Sequence, residues 1–297
     1  MYRILSLSLF LLMSSLSLAE TDSAAPVLSE QEKYEQWANQ FINSIQPQTG
    51  TITLADTGAT LNIPDEFYFL NAEDSERVLV EAWGNPPGQR ALGMLFPAGF
   101  SPLDNDAWAV TIAYEEEGYV SDENAAEIDY DELLEQMQED TRASSIERDK
   151  MGYGTVSLVG WASAPYYDAS SNKLHWAKEI YFGGSEENTL NYNVRVLGRK
   201  GVLVLDFIAN MSQLPLIKQN LGAVLDIAEF DQGSSYSDFD PDLDEVAAYG
   251  IGALVAGKVI AKTGFLVAAL VFLKKFGIFI LLGLGALFKM LFKRKQA

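Results

Sequence analysis

Residues 173–208 read KLHWAKEIYFGGSEENTLNYNVRVLGRKGVLVLDFI. Three runs rich in aliphatic and aromatic residues, 173–182, 190–197 and 202–208, are separated by short breaks, and the last two are joined by a tight turn at 198–201. Connections this short leave no room for a crossover helix, so the strands must pair antiparallel.

Working outward, the pattern repeats. Short alternating runs at 51–54, 59–63 and 67–70 are divided by Asp56 to Gly58 and by Pro64 to Glu66, and two stronger strands follow at 91–96 and 108–114. In the second, Trp108, Val110, Ile112 and Tyr114 share one face. A further strand is expected at 155–161. Helices are expected at 30–44, where Ser29 and Glu32 form a capping box, and at 72–82. Asp129 caps a third helix carrying Tyr130, Leu133, Leu134 and Met137 at helical spacing, which fades in the polar run up to Lys150. Ser212 is the expected cap of a fourth at 214–225, with Pro215 in its first turn and Ile217, Leu221, Val224 and Leu225 facing inward. Helices packed on a largely antiparallel sheet make the class α+β, followed by a C-terminal membrane helix or helices. No internal repeat is present.

The ends are built for another medium. Residues 1–19 have the parts of a secretory signal: Arg3, an apolar run, and small residues Ser17 and Ala19 at the cleavage positions. Segment 20–50 is a helical lead-in, 51–232 the extracytoplasmic domain, and 233–246 an acidic linker. From Ala247 onward the chain holds no acidic residue. Residues 276–292 read as a membrane span, anchored by Phe276, Ile280, Leu284 and Leu287, with Lys293, Arg294 and Lys295 as a cytoplasmic basic tail (293–297). Segment 247–275 is interrupted by Lys258 and Lys262, which favours an interfacial helix; a second span is the competing reading. Within it, Ala253, Gly257 and Ala261 form a small-xxx-small row through which the chain could self-associate.

Between the two ends the charge is strongly negative. Setting aside Arg3 and the eight basic residues after Gly257 leaves 12 basic against 41 acidic residues, a net charge of −29. Such a surface excludes nucleic acid as a partner and leaves lipid contact to the basic tail. Cysteine is absent, so there is no disulfide, thiol nucleophile or acylation site.

Catalytic signatures are scarce. The one histidine, His175, cannot assemble a typical zinc site without cysteine or a second imidazole, and stands as a candidate general base without an accompanying nucleophile. The match G-x-x-x-x-G-K at 252–258 is followed by Val259 where Mg²⁺ would need Ser or Thr, and no strand precedes it. Asp238, Asp240, Asp242 and Asp244 alternate in a manner suited to a hard cation such as Ca²⁺, but Leu243 and Tyr249 occupy the Gly and Glu positions of an EF-hand. Glu115 and Glu117 are candidates for a carboxylate acid/base pair. Aromatics beside turns, among them Trp83, Trp161, Tyr166, Tyr167, Trp176 and Tyr192, could line a peptide or glycan groove. No cofactor is expected.

Several blocks taken together resemble a known family. Glu81-Ala82-Trp83-Gly84-Asn85-Pro86-Pro87-Gly88, Leu92-Gly93-Met94-Leu95-Phe96-Pro97, Gly160-Trp161-Ala162 with Pro165-Tyr166-Tyr167-Asp168, the segment from Asn188 to Arg199, and Asp238-Phe239 before Ala247-Ala248-Tyr249-Gly250 are similar to a bacterial family of membrane-anchored proteins classed as a domain of unknown function. The resemblance covers Thr51 to Gly257 and implies a secreted domain tethered to the cytoplasmic membrane, with no catalytic residues to carry over. In strand arrangement the chain also resembles the small α+β domains of photosystem-associated extrinsic proteins, a likeness that assigns no function. The expected role is a non-enzymatic binding module at the cell envelope with a protein or glycan partner; the alternative is a carboxylate-dependent hydrolase of an envelope polymer.

Overall fold

The computed structural model describes residues 28–88 and 91–256. The chain divides into two compact units, 1–42 and 43–297.

The first unit is represented by most of helix α1 (Glu30–Ser44). Its capping box forms as expected, with the Ser29 amide donating to Glu32 Oε2 at 2.8 Å and the Glu32 amide to Ser29 Oγ at 3.2 Å. Tyr34, Trp37 and Phe41, spaced one turn apart, stack in a ladder at 5.7 and 5.4 Å.

The second unit holds β1 (Gly50–Leu54), β2 (Ala59–Ile63), β3 (Phe67–Asn71), α2 (Ala72–Arg77), β4 (Gly93–Pro97), β5 (Ala109–Glu115), α3 (Tyr130–Lys150) and β6 (Val156–Asp168). It continues with β7 (Lys173–Phe182), β8 (Thr189–Leu197), β9 (Val202–Asn210), α4 (Leu214–Ile227), β10 (Ala228–Phe230) and α5 (Gly252–Ala256). A seven-stranded sheet runs β3-β4-β5-β9-β8-β7-β6, and a three-stranded sheet runs β1-β2-β10. Every pairing within them is antiparallel, so the expected α+β architecture holds. Among the described residues no helix is long and apolar enough to cross a membrane. The span read at 276–292, with Phe276, Ile280, Leu284, Leu287, Lys293, Arg294 and Lys295, lies outside the described residues, as does the signal at 1–19.

Alternation divides the large sheet into two faces. One face, with Trp108, Val110 and Ile112 of β5 and the residue before it, Leu190, Tyr192 and Val194 of β8, and Leu203, Leu205 and Phe207 of β9, forms a continuous buried core. The three-stranded sheet and the apolar stripe of α4, Ile217 and Val224, close over it. Helix α4 is capped differently from the expectation: Asn210 and Gln213 form a capping box around the short 3₁₀ turn 211–213 that precedes it, while the Ser212 amide donates to Glu187.

On the opposite face Leu174, Trp176, Leu197 and Val202 pack with Val120, Ile251, Leu254 and Val255. This corrects two sequence boundaries. Segment 233–246 is not a solvated linker, because Tyr119 stacks on Tyr236 and Phe239 at 4.5 and 3.9 Å and pairs its backbone with Glu245 and Ala247. The stretch from Ala247 to Ala256 belongs to the folded body, since the apolar groups that suggested lipid contact are spent on this second core.

Strand β6 is longer than expected, running through Pro165 to Asp168, and its pairing with β7 slips at three places. As the edge strand it can carry a proline and bulges without losing ladder bonds to a second neighbour. Tyr166 and Tyr167 therefore sit in a strand rather than in a turn.

Candidate functional site

The second face of the sheet is not sealed between β8, β9 and β5. Asn191, Asn193 and Arg195 alternate with the core residues of β8, and Asp206 and Ile208 with those of β9; Thr111 joins them from β5. Outward-facing residues of an antiparallel sheet are normally solvated. Here they are covered, with Asn193 2% exposed and the Arg195 side chain 12% exposed.

On the groove's outer side the walls come from the turn and loop that succeed α2. Asn71 Oδ1 caps α2 by accepting from the Asp74 amide. After Arg77 the helix widens into a π turn, Val78–Ala82, closed by the Trp83 amide donating to the Val78 carbonyl at 2.9 Å. Gly84 then takes φ +66°, the left-handed region that favours glycine, and turns the chain back across the sheet. Asn85 is fixed there by its amide and its Nδ2, both donating to the Leu79 carbonyl at 2.9 and 3.1 Å. Trp83 Nε1 donates to the Pro102 carbonyl, and its ring meets Phe96 edge-on.

Between this cover and the sheet runs a groove in two arms that share Asn85, Asn191 and Ile208 as walls. One arm, about 430 Å³, is lined by Thr111, Glu115, Arg195 and Asp206. The other, about 500 Å³, is lined by Trp83, Arg148, Tyr153, Ile180 and Phe182. In the polar arm Arg195 Nη1 donates to Asp206 Oδ1 at 2.7 Å while its guanidinium lies 4.8 Å above the Trp176 ring. Lys178 stands on the same face of β7; burial pushes its ammonium pKa down, with Asp206 opposing that shift and Arg195 adding to it. The groove thus presents a fixed charge pair, amides and a hydroxyl beside apolar walls.

The sequence candidates are dispersed. Glu115 ends β5 and lines the polar arm, whereas Glu117 lies beyond it, its charge acting on the Tyr249 hydroxyl. Burial raises the pKa of the Tyr249 hydroxyl, and Glu117 and Glu115 add to the shift. His175 is on the opposite, core face of β7, 4% exposed, stacked on Tyr166 at 4.8 Å and edge-on to Tyr192. Burial holds its imidazole down to about 4, with Lys173 contributing and Asp168 opposing, so it is neutral at pH 7.

The alternating aspartates act as caps and pairs. Asp238 Oδ2 accepts from the Gly233 and Ser235 amides, and Asp240 Oδ1 accepts from the Asp242 amide. Asp244, its side chain 1% exposed, pairs with Arg199 at 2.7 Å, which holds its carboxyl below the usual range. Among the described residues no group of three or more acidic or histidine side chains is placed to hold a metal. Ala253 lies in α5, while Gly257 and Ala261 are outside the described residues. Sequence reasoning missed Arg195, Asp206, Asn191 and Thr111; the signal was there in β8, where Asn191, Asn193 and Arg195 alternate with Leu190, Tyr192, Val194 and Val196, whereas Asp206 and Thr111 stand alone among apolar neighbours on their strands.

A family model described as "Protein of unknown function (DUF2167)" matches residues 46–285. The chain belongs to this family. The DUF2167 match takes in every block that carried the resemblance, including the two that wall the groove, 81–88 and 188–199. No curated protein matches the chain in sequence. Among solved structures it is similar to the cyanobacterial PsbP (CyanoP) of Synechocystis sp. PCC 6803, at 11% identity over 63% of this chain and 92% of that one, with a TM-score of 0.34. It is also similar to LpqN of Mycobacterium tuberculosis, described as involved in cell envelope biogenesis, at 14% identity over 71% of this chain and 98% of that one, with a TM-score of 0.28.

Proposed function

We propose that this DUF2167 member is a membrane-tethered, extracytoplasmic binding module of the cell envelope that holds its ligand in the groove beneath Asn85. The observation that carries the reading is the meeting, across one groove, of two blocks about a hundred residues apart in sequence, 81–88 and 188–199. The first gives up regular helix to place Asn85, and the second spends alternate strand positions on half-buried polar groups. Both choices cost stability, which is the usual mark of a site kept for function. The tether rests on the signal-like residues 1–19 and the apolar run 276–292 followed by Lys293, Arg294 and Lys295. A protein or glycan partner suits the mixed polar and aromatic lining.

The test is a photo-crosslinking residue at Asn191 in the full-length protein in living cells, with mass spectrometry of the adduct. Capture of an envelope peptide or glycan that is lost when Asn85 is replaced by Ala supports the module. Adducts confined to random abundant proteins, unchanged by Asn85→Ala, overturn it. Glu115 and Asp206 lining one arm keeps the carboxylate hydrolase as a second reading. It predicts turnover of a cell-wall polymer that Glu115→Gln abolishes while capture at Asn191 persists.

A further inference from the structure

The aromatic arm of the groove holds a cation that no described carboxylate neutralises. Arg148, in the last turn of α3, places its guanidinium carbon 5.4 Å from the Phe182 ring centroid and 5.7 Å from that of Tyr153. Its Nε is buried without a hydrogen-bond partner, and among the described residues no carboxylate pairs with it. This is unexpected in a chain of 41 acidic and 21 basic residues, where carboxylates outnumber the cations they could pair with. The helix dipole accounts for a basic residue at this end of α3. It does not account for turning the side chain onto two rings at the wall of a 500 Å³ cavity, away from the acidic surface.

Resting on the reading of the groove as a ligand site, we infer that this arm binds a carboxylate attached to an apolar side group, with Arg148 as its anchor. A guanidinium beside aromatic rings and unpaired with any described carboxylate can offer its planar N–H fork to the two oxygens of a ligand carboxylate. The apolar side group packs between Trp83 and Ile180, which line the same cavity. The one cation among the described residues lining this arm, on a strongly negative protein, selects a monoanion over polyanions such as phosphorylated chains, which the surrounding field repels. Carboxylates of this kind occur as small free acids and as the C-terminus of a peptide ending in a hydrophobic residue. The polar arm beyond Asn85 and Asn191 gives the second source room to extend.

The experiment titrates the full-length protein in detergent with three probes by calorimetry: the tripeptide Gly-Gly-Phe as free acid, the same peptide amidated, and phenylacetate. The free acid should bind with a Kd in the millimolar range or tighter and the amide at least about tenfold more weakly, the loss of one charge-assisted contact. Arg148→Gln should weaken the free acid by a similar factor with its melting temperature unchanged, and Arg148→Lys should recover only part of it. A peptide preferred over phenylacetate assigns the source to C-termini, and equal affinities assign it to free acids. Equal binding of acid and amide, wild-type affinity in Arg148→Gln, or no heat from either acid overturns the inference. Capture at Asn191 is independent of Arg148, so a negative titration with continued crosslinking removes the carboxylate anchor and leaves the binding module standing.

Discussion

The two faces of the seven-stranded sheet are made by the same strands and could hardly differ more. On β8, Leu190, Tyr192, Val194 and Val196 enter a closed core, while Asn191, Asn193 and Arg195, one step away along the backbone, line or underlie the groove. A strand with one buried face ordinarily puts its polar residues into water, where they cost nothing. Here the polar face is also covered, so each of its groups needs a partner or carries a desolvation penalty. The difference separates residues kept for folding from residues kept in spite of it, and substitutions on either face can break or sharpen that division.

The largest effect belongs to the closed face. Phe207 is fully buried, stacked on Trp108 at 6.2 Å and edge-on to Tyr192 at 5.9 Å. Phe207→Ala should cost about 3 to 5 kcal/mol in denaturant unfolding, the usual range for emptying an aromatic site in a packed core. A cost near that of a surface change would mean the second sheet and α4 do not form a rigid lid.

Next in size is the single imidazole on that same face. His175 has a folded-state pKa of about 4 against an unfolded value near 6.5, so the unfolded chain binds more protons between those values. Stability should therefore be unaffected above pH 6.5, fall as pH drops toward 4, and level off below that as far as this group is concerned. The full loss is roughly 2 to 3 kcal/mol after allowing for solvent screening. Because the chain has one histidine, its NMR resonance is unambiguous. A titration midpoint near 6.5, or an unchanged slope in His175→Phe, would place the ring in water and break the contrast between the faces.

How far this contrast could be read in advance depended on which interactions are local. Strand and helix signals are set by neighbours two to four residues apart, so α1, β2, β7 and the antiparallel order were legible from periodicity alone. The acidic segment was misread because one-dimensional charge does not show that Asp244 finds Arg199, 45 residues away, or that Tyr119 stacks on Tyr236 and Phe239. Leu254 and Val255 read as lipid-facing because apolar surface looks the same to a protein core and to a bilayer. The groove was invisible for a related reason: its walls come from the turn after α2, from the end of α3 and from four strands, and only folding brings Asn85 to Asn191.

A smaller effect is expected at the charge pair of the open face. Arg195→Met keeps an unbranched side chain of similar length but removes the guanidinium from both the Trp176 ring and Asp206. The pair is neither deep nor exposed, with Asp206 27% accessible, so the cost should fall between the surface and buried limits, about 1 to 2 kcal/mol. The same change removes a neighbour that depresses Lys178, whose ammonium pKa should rise; Asp206→Asn should push it further down. A double-mutant cycle over Arg195 and Asp206 with no coupling would show the pair to be incidental.

The smallest stability effect should lie at Thr111, and it is the most telling one. Its side chain lines the polar arm of the groove, and its hydroxyl makes only a long 3.5 Å contact to the Asp206 carbonyl. Thr111→Val preserves shape and strand propensity, so unfolding should move by less than about 0.5 kcal/mol. If the open face exists for a ligand, the same change should reduce capture by a crosslinker at Asn191 severalfold, because it removes a hydroxyl from the groove while leaving the walls in place. Loss of stability comparable to that of Arg195→Met with capture intact would reverse the assignment, making the polar row a structural network and the groove a by-product of how the turn and loop after α2 happen to cover the sheet.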